Sequence, residues 1–142
     1  MEKKTNKPIT IETTVHAPME IVWDCWSNPD HITNWAFASD DWHAPYANND
    51  LKLNGKFKTT MAAKDGSMSF DFEGVYTSVK KHELIEYDIA DGRHVATLFS
   101  KLGSDVKIVQ TFDPESSNPR EMQKEGWQAI LDNFKKYVET KI

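Results

Sequence analysis

The strongest constraint on the fold is a change of periodicity along the chain. From residue 51 to residue 113, apolar and polar side chains alternate with a period of two, as in strands that bury one face. Asp65-Gly66, Asp91-Gly92 and Gly103-Ser104 interrupt this alternation at short turns. Consecutive strands joined by short turns predict an antiparallel sheet with one apolar face.

A long amphipathic helix is predicted after the strands. Asn118, Pro119 and Glu121 are typical of an N-cap, a first helical position and a capping-box partner. A helix of about 22 residues is about 33 Å long, which is enough to cover a sheet. The apolar residues in this segment recur with the helical period and form one stripe: Met122, Trp127, Ile130, Leu131, Phe134 and Val138.

The first fifty residues predict one strand and two short helices. Residues 9–15 are rich in β-branched side chains and predict the strand. Helix starts are predicted at Pro18 and at Asn28-Pro29. Residues 36–50 have no clean period and predict a loop that acts as a lid or a binding loop. The predicted fold class is therefore α+β, with a curved antiparallel sheet wrapped around a long C-terminal helix and two short helices after the first strand.

Length and composition exclude several classes of protein. The 142 residues predict a single domain, residues 1–142, in which residues 1–8 form a flexible end. No apolar run is long enough to span a membrane, and the polar N-terminus is unlike a signal peptide. A net charge of −5 argues against nucleic acid as a partner. The single cysteine, Cys25, has no internal disulfide partner, so we expect a cytoplasmic protein.

The aromatic residues predict either a solid core or a cavity with aromatic walls. Phe, Trp and Tyr make up 11% of the chain, and many of them fall on the inward rows of the strands or on the stripe of the last helix. A ligand site requires a cavity of roughly 300 Å³ or more. The candidate ligand-binding residues are Trp35, Trp42, His43, Phe57, Met61, Phe70, Phe72, Tyr87, Phe99, Gln110, Trp127 and Phe134.

Three of these candidates carry polar groups. His43 follows Trp42 in the predicted loop, where it would orient or protonate a ligand at the cavity mouth, or would be an ordinary loop histidine. Gln110 lies on an inward row, so its amide needs a partner from the protein, from water or from a ligand. The hydroxyl of Tyr87 is a candidate contact in the same pocket.

The sequence contains no recognisable catalytic or metal-binding motif. Its five histidines are far apart and it has no cysteine pair, so we expect no metal and no cofactor. It lacks the GxSxG nucleophile elbow. Asp71 and Glu73 share the polar face of their strand and are expected to be solvated. We therefore predict no catalytic residues.

Several motifs, in this order along the chain, resemble a known family. The element order is similar to the helix-grip fold of the START-like (SRPBCC) superfamily. Within it, the chain resembles the "activator of heat-shock-protein ATPase homology" family, also known as the Aha-type C-terminal domain. One departure from the family pattern is Asn54, which stands where a first paired glycine is usual. The segments that carry the resemblance are Ala17-Pro18 to Val22-Trp23, Asn28-Pro29, Trp35, Leu53 to Phe57, Asp65-Gly66, Gly74-Val75-Tyr76 and Gly126-Trp127 with Leu131.

The resemblance implies a cavity between the sheet and the long helix, but it does not imply one activity. Our leading hypothesis is the binding of a small apolar or aromatic molecule. One alternative is a polyketide cyclase or aromatase that uses His43, Tyr87 and Glu73. Another is a chaperone ATPase activator with a role in stress response, although a chaperone partner is not our expectation. A homodimer through the sheet edges stays open.

Overall fold

The computed structural model describes residues 7–141, which form one curled, seven-stranded antiparallel sheet and three helices. The strand order is β1-β7-β6-β5-β4-β3-β2. The elements are β1 (Ile9–Val15), α1 (Met19–Ser27), α2 (Pro29–Ile32), β2 (Trp42–Asn49), β3 (Lys56–Ala63), β4 (Ser69–Lys80), β5 (Leu84–Ile89), β6 (His94–Leu102), β7 (Asp105–Phe112) and α3 (Arg120–Glu139). The α+β helix-grip fold predicted from the sequence is confirmed.

The second strand lies where a loop was predicted. Trp42–Asn49 forms β2, whereas residues 51–55, which were predicted to begin the sheet, form a turn region. The pairing of β2 with β3 shifts register between His43 and Tyr46, and Pro45 lies within the shift. A bulge and a proline are tolerated because β2 is the edge strand of the sheet. The bulge breaks the period of two and thereby hides the strand in the sequence.

Gly74 allows a close approach between two strands, whereas a glycine inside a strand often indicates a bulge. The irregularity in β4 lies further along, between Tyr76 and Ser78. Gly74 is opposite Phe57 on β3. A Cβ atom at position 74 would lie 2.9 Å from the Phe57 ring and 2.5 Å from the Asp88 carbonyl oxygen. The missing side chain therefore makes room for Phe57 on the concave face.

The glycine departure at position 54 has a local explanation. Asn54 adopts a left-handed φ of 66°, and asparagine tolerates that conformation better than most residues do. At Gly55 a Cβ atom would lie 2.0 Å from the Asp50 carbonyl oxygen. Of the two residues Asn54 and Gly55, only Gly55 is therefore at a position that requires glycine.

Helix α3 starts without the predicted capping box. Its N-cap is Pro119, and no side chain caps the helix there. Leu131, Phe134 and Val138 are buried, as the predicted stripe requires, but Met122 is 57% exposed. Met68 and Phe70, which we predicted to be buried on an inward row, are 61% and 49% exposed. Met122 lies in the first turn of α3, and Met68 and Phe70 flank the first residue of β4. At both places the apolar face is only partly covered.

Side chains on α3 bind the outer edge of β1. Arg120 donates to the carbonyl oxygens of Lys7 and Pro8 at 2.6 and 3.0 Å. Gln128 donates to Glu12 O at 3.1 Å, and Lys135 donates to Thr14 O at 2.8 Å. The helix thereby satisfies backbone acceptors at this edge of the sheet. Residues 1–6 of the predicted flexible end lie outside the described residues.

The two short helices close one end of the sheet with a group of aromatic rings. Trp26 packs edge-on against Phe99 and Phe134, with centroid distances of 5.5 and 4.8 Å. Trp35 also contacts Phe134 edge-on, at 4.8 Å. The Trp35 indole donates a hydrogen bond to the carbonyl oxygen of Cys25 at 2.8 Å. This end of the interior is therefore a packed core.

Candidate functional site

A cavity of about 270 Å³ lies between the concave face of the sheet and α3. Its volume is just below the roughly 300–1,000 Å³ of typical ligand pockets. Aromatic rings from the sheet, from the short helices and from α3 form most of its walls. These are Trp26, Trp35, Phe57, Phe72, Tyr76, Tyr87 and Trp127.

A second hollow of about 190 Å³ adjoins this cavity. The two share Met61, Phe70 and Ile130 in their walls. Trp42 lines the outer hollow, with its ring centroid 6.0 Å from that of Phe70. Because Phe70 is half exposed, the outer hollow is the more open part of this apolar space.

The ring of Phe57 is the centre of the sheet wall. The ring of Tyr87 meets it edge-on at a centroid distance of 4.7 Å. The ring centroids of Tyr76 and Phe72 lie 5.2 and 5.8 Å from that of Phe57. On the helix side, Trp127 meets Phe72 edge-on at 5.9 Å. These ring contacts have the centroid distances that are usual for packed aromatic side chains, so the sheet and α3 form one continuous aromatic wall.

Tyr76 and Tyr87 are opposite one another in the register of β4 and β5, but their hydroxyl groups differ. The Tyr76 hydroxyl donates to Asn49 Oδ1, and the Asn49 amide donates in turn to Ser27 O at 2.6 Å. The Tyr87 hydroxyl has no hydrogen-bonding partner within residues 7–141, although Tyr87 is only 8% exposed. Burial raises the pKa of both phenols well above the ordinary value, so both stay protonated.

Gln110 finds its partner within the protein. Its Nε2 donates to Thr97 Oγ1 on the neighbouring strand at 3.0 Å, and both residues are buried. The side-chain oxygen of Gln110 has no partner in the described part of the chain, and Gln110 lines the cavity. The amide therefore retains an acceptor for a further hydrogen bond.

A polar group closes the end of the cavity near the start of α3. Gln123 Nε2 donates to the carbonyl oxygens of Glu115 and Asn118, at 3.0 and 2.8 Å, and its oxygen accepts from Glu115 N at 2.8 Å. The hydrogen bond from the Asn118 amide to Glu115 lowers the pKa of the Glu115 carboxyl. Gln123 thus fixes the segment before α3 against the cavity.

Arg93 and Glu115 place opposite charges in the same wall. Arg93 Nε donates to both carboxylate oxygens of Asp91, at 3.1 and 2.9 Å. The cationic side chain is thus paired with an acidic neighbour, so this end carries no uncompensated positive charge.

Most of the predicted site residues meet at the cavity. Trp35, Phe57, Met61, Phe70, Phe72, Tyr87, Gln110 and Trp127 line it, and Trp42 lines the outer hollow. Phe99 and Phe134 line neither, because both are packed in the core against Trp26. His43 also lies away from both, because it is exposed on β2 between Trp42 and the buried Ala44.

The residues of the cyclase alternative are not assembled. His43 and Glu73 are exposed, and neither lines the cavity that contains Tyr87. Burial keeps the Tyr87 phenol protonated, which is unfavourable for a general base. In residues 7–141 there is no cluster of three or more side chains that could hold a metal ion.

Twelve residues of the wall were absent from the predicted set, and Trp26, Thr59, Tyr76 and Gln123 are among them. Thr59 lies between Phe57 and Met61 on their inward row, and Tyr76 continues the row of Phe70 and Phe72. Gln123 lies one helical turn before Trp127. All three lie on rows or stripes that the sequence already indicates, so including every residue of each row would have found them.

Comparison of the chain with known proteins identifies its family. The family model described as "Activator of Hsp90 ATPase homolog 1-like protein" matches residues 16–139. A search of curated proteins gives no match. Among the helices of residues 7–141, none is both long and apolar enough to cross a membrane.

Solved structures include close relatives of this chain. A protein from Cytophaga hutchinsonii is 58% identical over 96% of this chain and 94% of its own, with a TM-score of 0.82. An AHSA1-like protein from Aeromonas hydrophila is 42% identical over 94% of this chain and 92% of its own, with a TM-score of 0.88. A protein from Nitrosomonas europaea has the same fold at 13% identity, with complete coverage of both chains and a TM-score of 0.82. The chain therefore belongs to the family of activator of Hsp90 ATPase homolog 1-like proteins, within the START-like superfamily.

Proposed function

We propose that the protein binds a small apolar or aromatic molecule in the cavity between the sheet and α3. The observation that carries the proposal is an aromatic-walled space of about 270 Å³ in the interior of a domain of 142 residues. Protein interiors are normally close-packed, with few voids larger than a water molecule. A concave space with mostly apolar walls and a few polar groups is typical of a ligand site, and the START-like fold is generally used for ligand binding.

The dimensions favour a ligand of one or two rings. The cavity alone, at about 270 Å³, is smaller than the roughly 300 Å³ that we set as the minimum for a ligand site, so a ligand must also use the adjoining outer hollow. The outer hollow adds about 190 Å³ and shares three wall residues with the cavity. A ligand held among Phe57, Phe72 and Trp127 would therefore reach the surface past Phe70.

Filling the cavity tests the proposal. Thr59 is buried in the wall, and a Thr59→Trp substitution would place an indole where the ligand is expected. Thr59→Val has nearly the shape of threonine and is the matched control. With the fluorescent probe N-phenyl-1-naphthylamine, we expect at least a tenfold loss of affinity in Thr59→Trp and little change in Thr59→Val.

Two further measurements distinguish binding inside the cavity from adsorption of the probe to the outer face. Leu98 is exposed on the outer face, and Leu98→Ser should leave probe binding unchanged if the probe enters the cavity. Native mass spectrometry of the purified protein would identify an apolar molecule that copurifies with it. Equal probe affinity in the wild type and in folded Thr59→Trp would contradict the proposal.

The chaperone alternative has its own assay. The family is named after an activator of the Hsp90 ATPase. We expect no rise in the ATPase rate of Hsp90 when the protein is added. If the rate rises, and rises equally with Thr59→Trp, then the protein activates Hsp90 through its outer surface and not through the cavity.

We also propose a cytoplasmic location. Its support is the single cysteine of the sequence, Cys25, which is buried as a free thiol. Microscopy of the tagged protein in its own cells would test the location.

A further inference from the structure

We infer that the ligand is a neutral aromatic molecule with a hydroxyl group, and that this group hydrogen-bonds to the hydroxyl of Tyr87. This inference rests on the proposed function and names the chemical class of the ligand. It would make Tyr87 the residue that selects among apolar molecules of similar size.

The first observation is the unpaired hydroxyl of Tyr87. The residue is 8% exposed, lines the cavity, and has no hydrogen-bonding partner within residues 7–141. Buried polar groups in native proteins nearly always have a partner, so an exception calls for an explanation. Its neighbour Tyr76 shows the usual arrangement, because its hydroxyl bonds to Asn49. A ligand in the cavity would supply the partner that Tyr87 lacks.

The second observation is the free acceptor on Gln110. One amide hydrogen is used by Thr97, at 3.0 Å, and the side-chain oxygen has no partner in the described part of the chain. Gln110 is on β7 and Tyr87 on β5, so the two lie two strands apart, a backbone spacing of roughly 10 Å. Among the polar groups of the wall, Tyr87 and Gln110 thus offer a ligand separated hydrogen-bonding points, and the buried hydroxyl of Thr59 is a third. A hydroxyl both donates and accepts, and it can therefore bond to any of these points.

The charges of the wall favour a neutral ligand. Arg93 is the basic residue that lines the cavity, and its guanidinium is held by Asp91 at 2.9 Å. The acidic Glu115 lines the same end. A carboxylate ligand would lose its hydration without meeting a net positive charge, because Asp91 and Glu115 compensate Arg93. Burial also raises the pKa of Tyr87, so its phenol stays neutral.

Three probes with the same ring system test the inference: naphthalene, 2-naphthol and 2-naphthoate. Their affinities are measured by NMR titration of the isotope-labelled wild type. We expect 2-naphthol to bind about threefold to tenfold more tightly than naphthalene, because one hydrogen bond is gained. The anion 2-naphthoate should bind most weakly. In Tyr87→Phe, the preference for 2-naphthol over naphthalene should disappear, whereas naphthalene should bind as before.

Tyr76→Phe is the matched control. It removes a hydroxyl from the same wall, but that hydroxyl is already bonded to Asn49, so the preference for 2-naphthol should persist. Thermal unfolding gives a second readout. Without ligand, Tyr87→Phe should be at least as stable as the wild type because it removes an unpaired buried group, whereas Tyr76→Phe should be less stable.

The outcomes separate the two proposals. Equal affinity of the wild type for naphthalene and 2-naphthol would overturn the inference, and the binding function would stand. A preference for 2-naphthol that survives in Tyr87→Phe, or tighter binding of 2-naphthoate, would also overturn it. If none of the three probes binds to the wild type, the proposed function itself fails.

Discussion

The indole of Trp127 lies parallel to the ring of Phe112, with centroids 3.9 Å apart and planes inclined by 9°. Trp127 is on α3 and Phe112 is the last residue of β7, so this stack joins the helix to the sheet. Trp127 also forms part of the cavity wall. One contact therefore fixes both the position of α3 and the shape of the proposed site.

Replacement of Trp127 should affect stability and binding together. We expect Trp127→Ala to lower the free energy of unfolding by about 2–3 kcal/mol, because a large half-buried ring is lost. Trp127→Phe keeps an aromatic ring and should lose less. Urea denaturation measures the stability, and probe titration measures the binding. A wild-type affinity in Trp127→Ala would show that the ligand lies elsewhere.

Replacement of Gly74 and of Gly126 by alanine should change the stability of the protein in opposite directions. In Gly74→Ala, the new Cβ would lie 2.5 Å from the Asp88 carbonyl oxygen and 2.9 Å from the Phe57 ring. We expect a loss of about 2 kcal/mol from this overpacking, with a weaker probe affinity because Phe57 must move. Gly126 lies on α3 with no atom within 4 Å of an added Cβ, so Gly126→Ala should gain about 0.5–1 kcal/mol.

Thermal unfolding of the two glycine variants would check both signs. If Gly74→Ala were as stable as the wild type, Phe57 would not be held as closely as the structure places it.

The middle of the sheet could be predicted from the sequence because each strand there has one buried face. The inward residues of β5, β6 and β7 are buried as the period of two predicted: Ile85, Tyr87, Ile89, Val95, Thr97, Phe99, Val106, Ile108, Gln110 and Phe112. On the edge strand β2 this alternation is lost. The bulge at Pro45 changes which residues point inward from one half of the strand to the other. The other edge strand, β1, was predicted at its observed bounds, so it is the bulge and not the edge position that hides β2.

The walls of the site were easier to predict than its polar contacts. Phe57 and Phe72 were found because a row of inward residues is a local property. That Gln110 would bond to Thr97 depends on the register of two strands, which the sequence alone does not give. The position of His43 on the exposed face depends on the strand that the sequence failed to indicate. Hydrogen bonds and orientation therefore required the structure.

The histidine on the outer face should make stability depend on pH. His94 lies between two carboxylates, with Nδ1 2.7 Å from Asp88 and Nε2 2.8 Å from Glu86. Hydrogen bonds to Asp88 and then to Glu86 raise the pKa of His94 above its ordinary value of 6.5. The stabilisation is thus fully present below the unfolded pKa, and it is lost as the pH rises through the folded pKa.

The pH effect of His94 should be small because the group is partly exposed. We expect less than about 1 kcal/mol after solvent screening. Denaturant unfolding between pH 6 and pH 9 measures it, and His94→Gln should flatten the curve in this range. If Glu86→Gln combined with Asp88→Asn left the pH dependence unchanged, the carboxylates would not be its cause.

The bonds from α3 to β1 should prevent pairing of this sheet edge with a second molecule. Arg120, Gln128 and Lys135 occupy carbonyl acceptors that an added strand would otherwise use. At the opposite edge, Pro45 and the bulge in β2 are unfavourable for strand addition. We therefore expect no dimer through either edge, and analytical ultracentrifugation of the wild type should show none.

Removal of the bonds at β1 tests this edge directly. A variant with Arg120→Ala, Gln128→Ala and Lys135→Ala removes the donors to Pro8 O, Glu12 O and Thr14 O, so we expect it to associate at concentrations where the wild type does not. Lys135→Met alone should lose about 1 kcal/mol of stability, because a charged donor to Thr14 O is lost together with a partly buried ion pair to Glu139. Lys136→Met changes a neighbouring lysine without an observed strand contact and is the control. Because exposed backbone acceptors are the template for strand addition, a triple variant that folds and does not associate would contradict this role of α3.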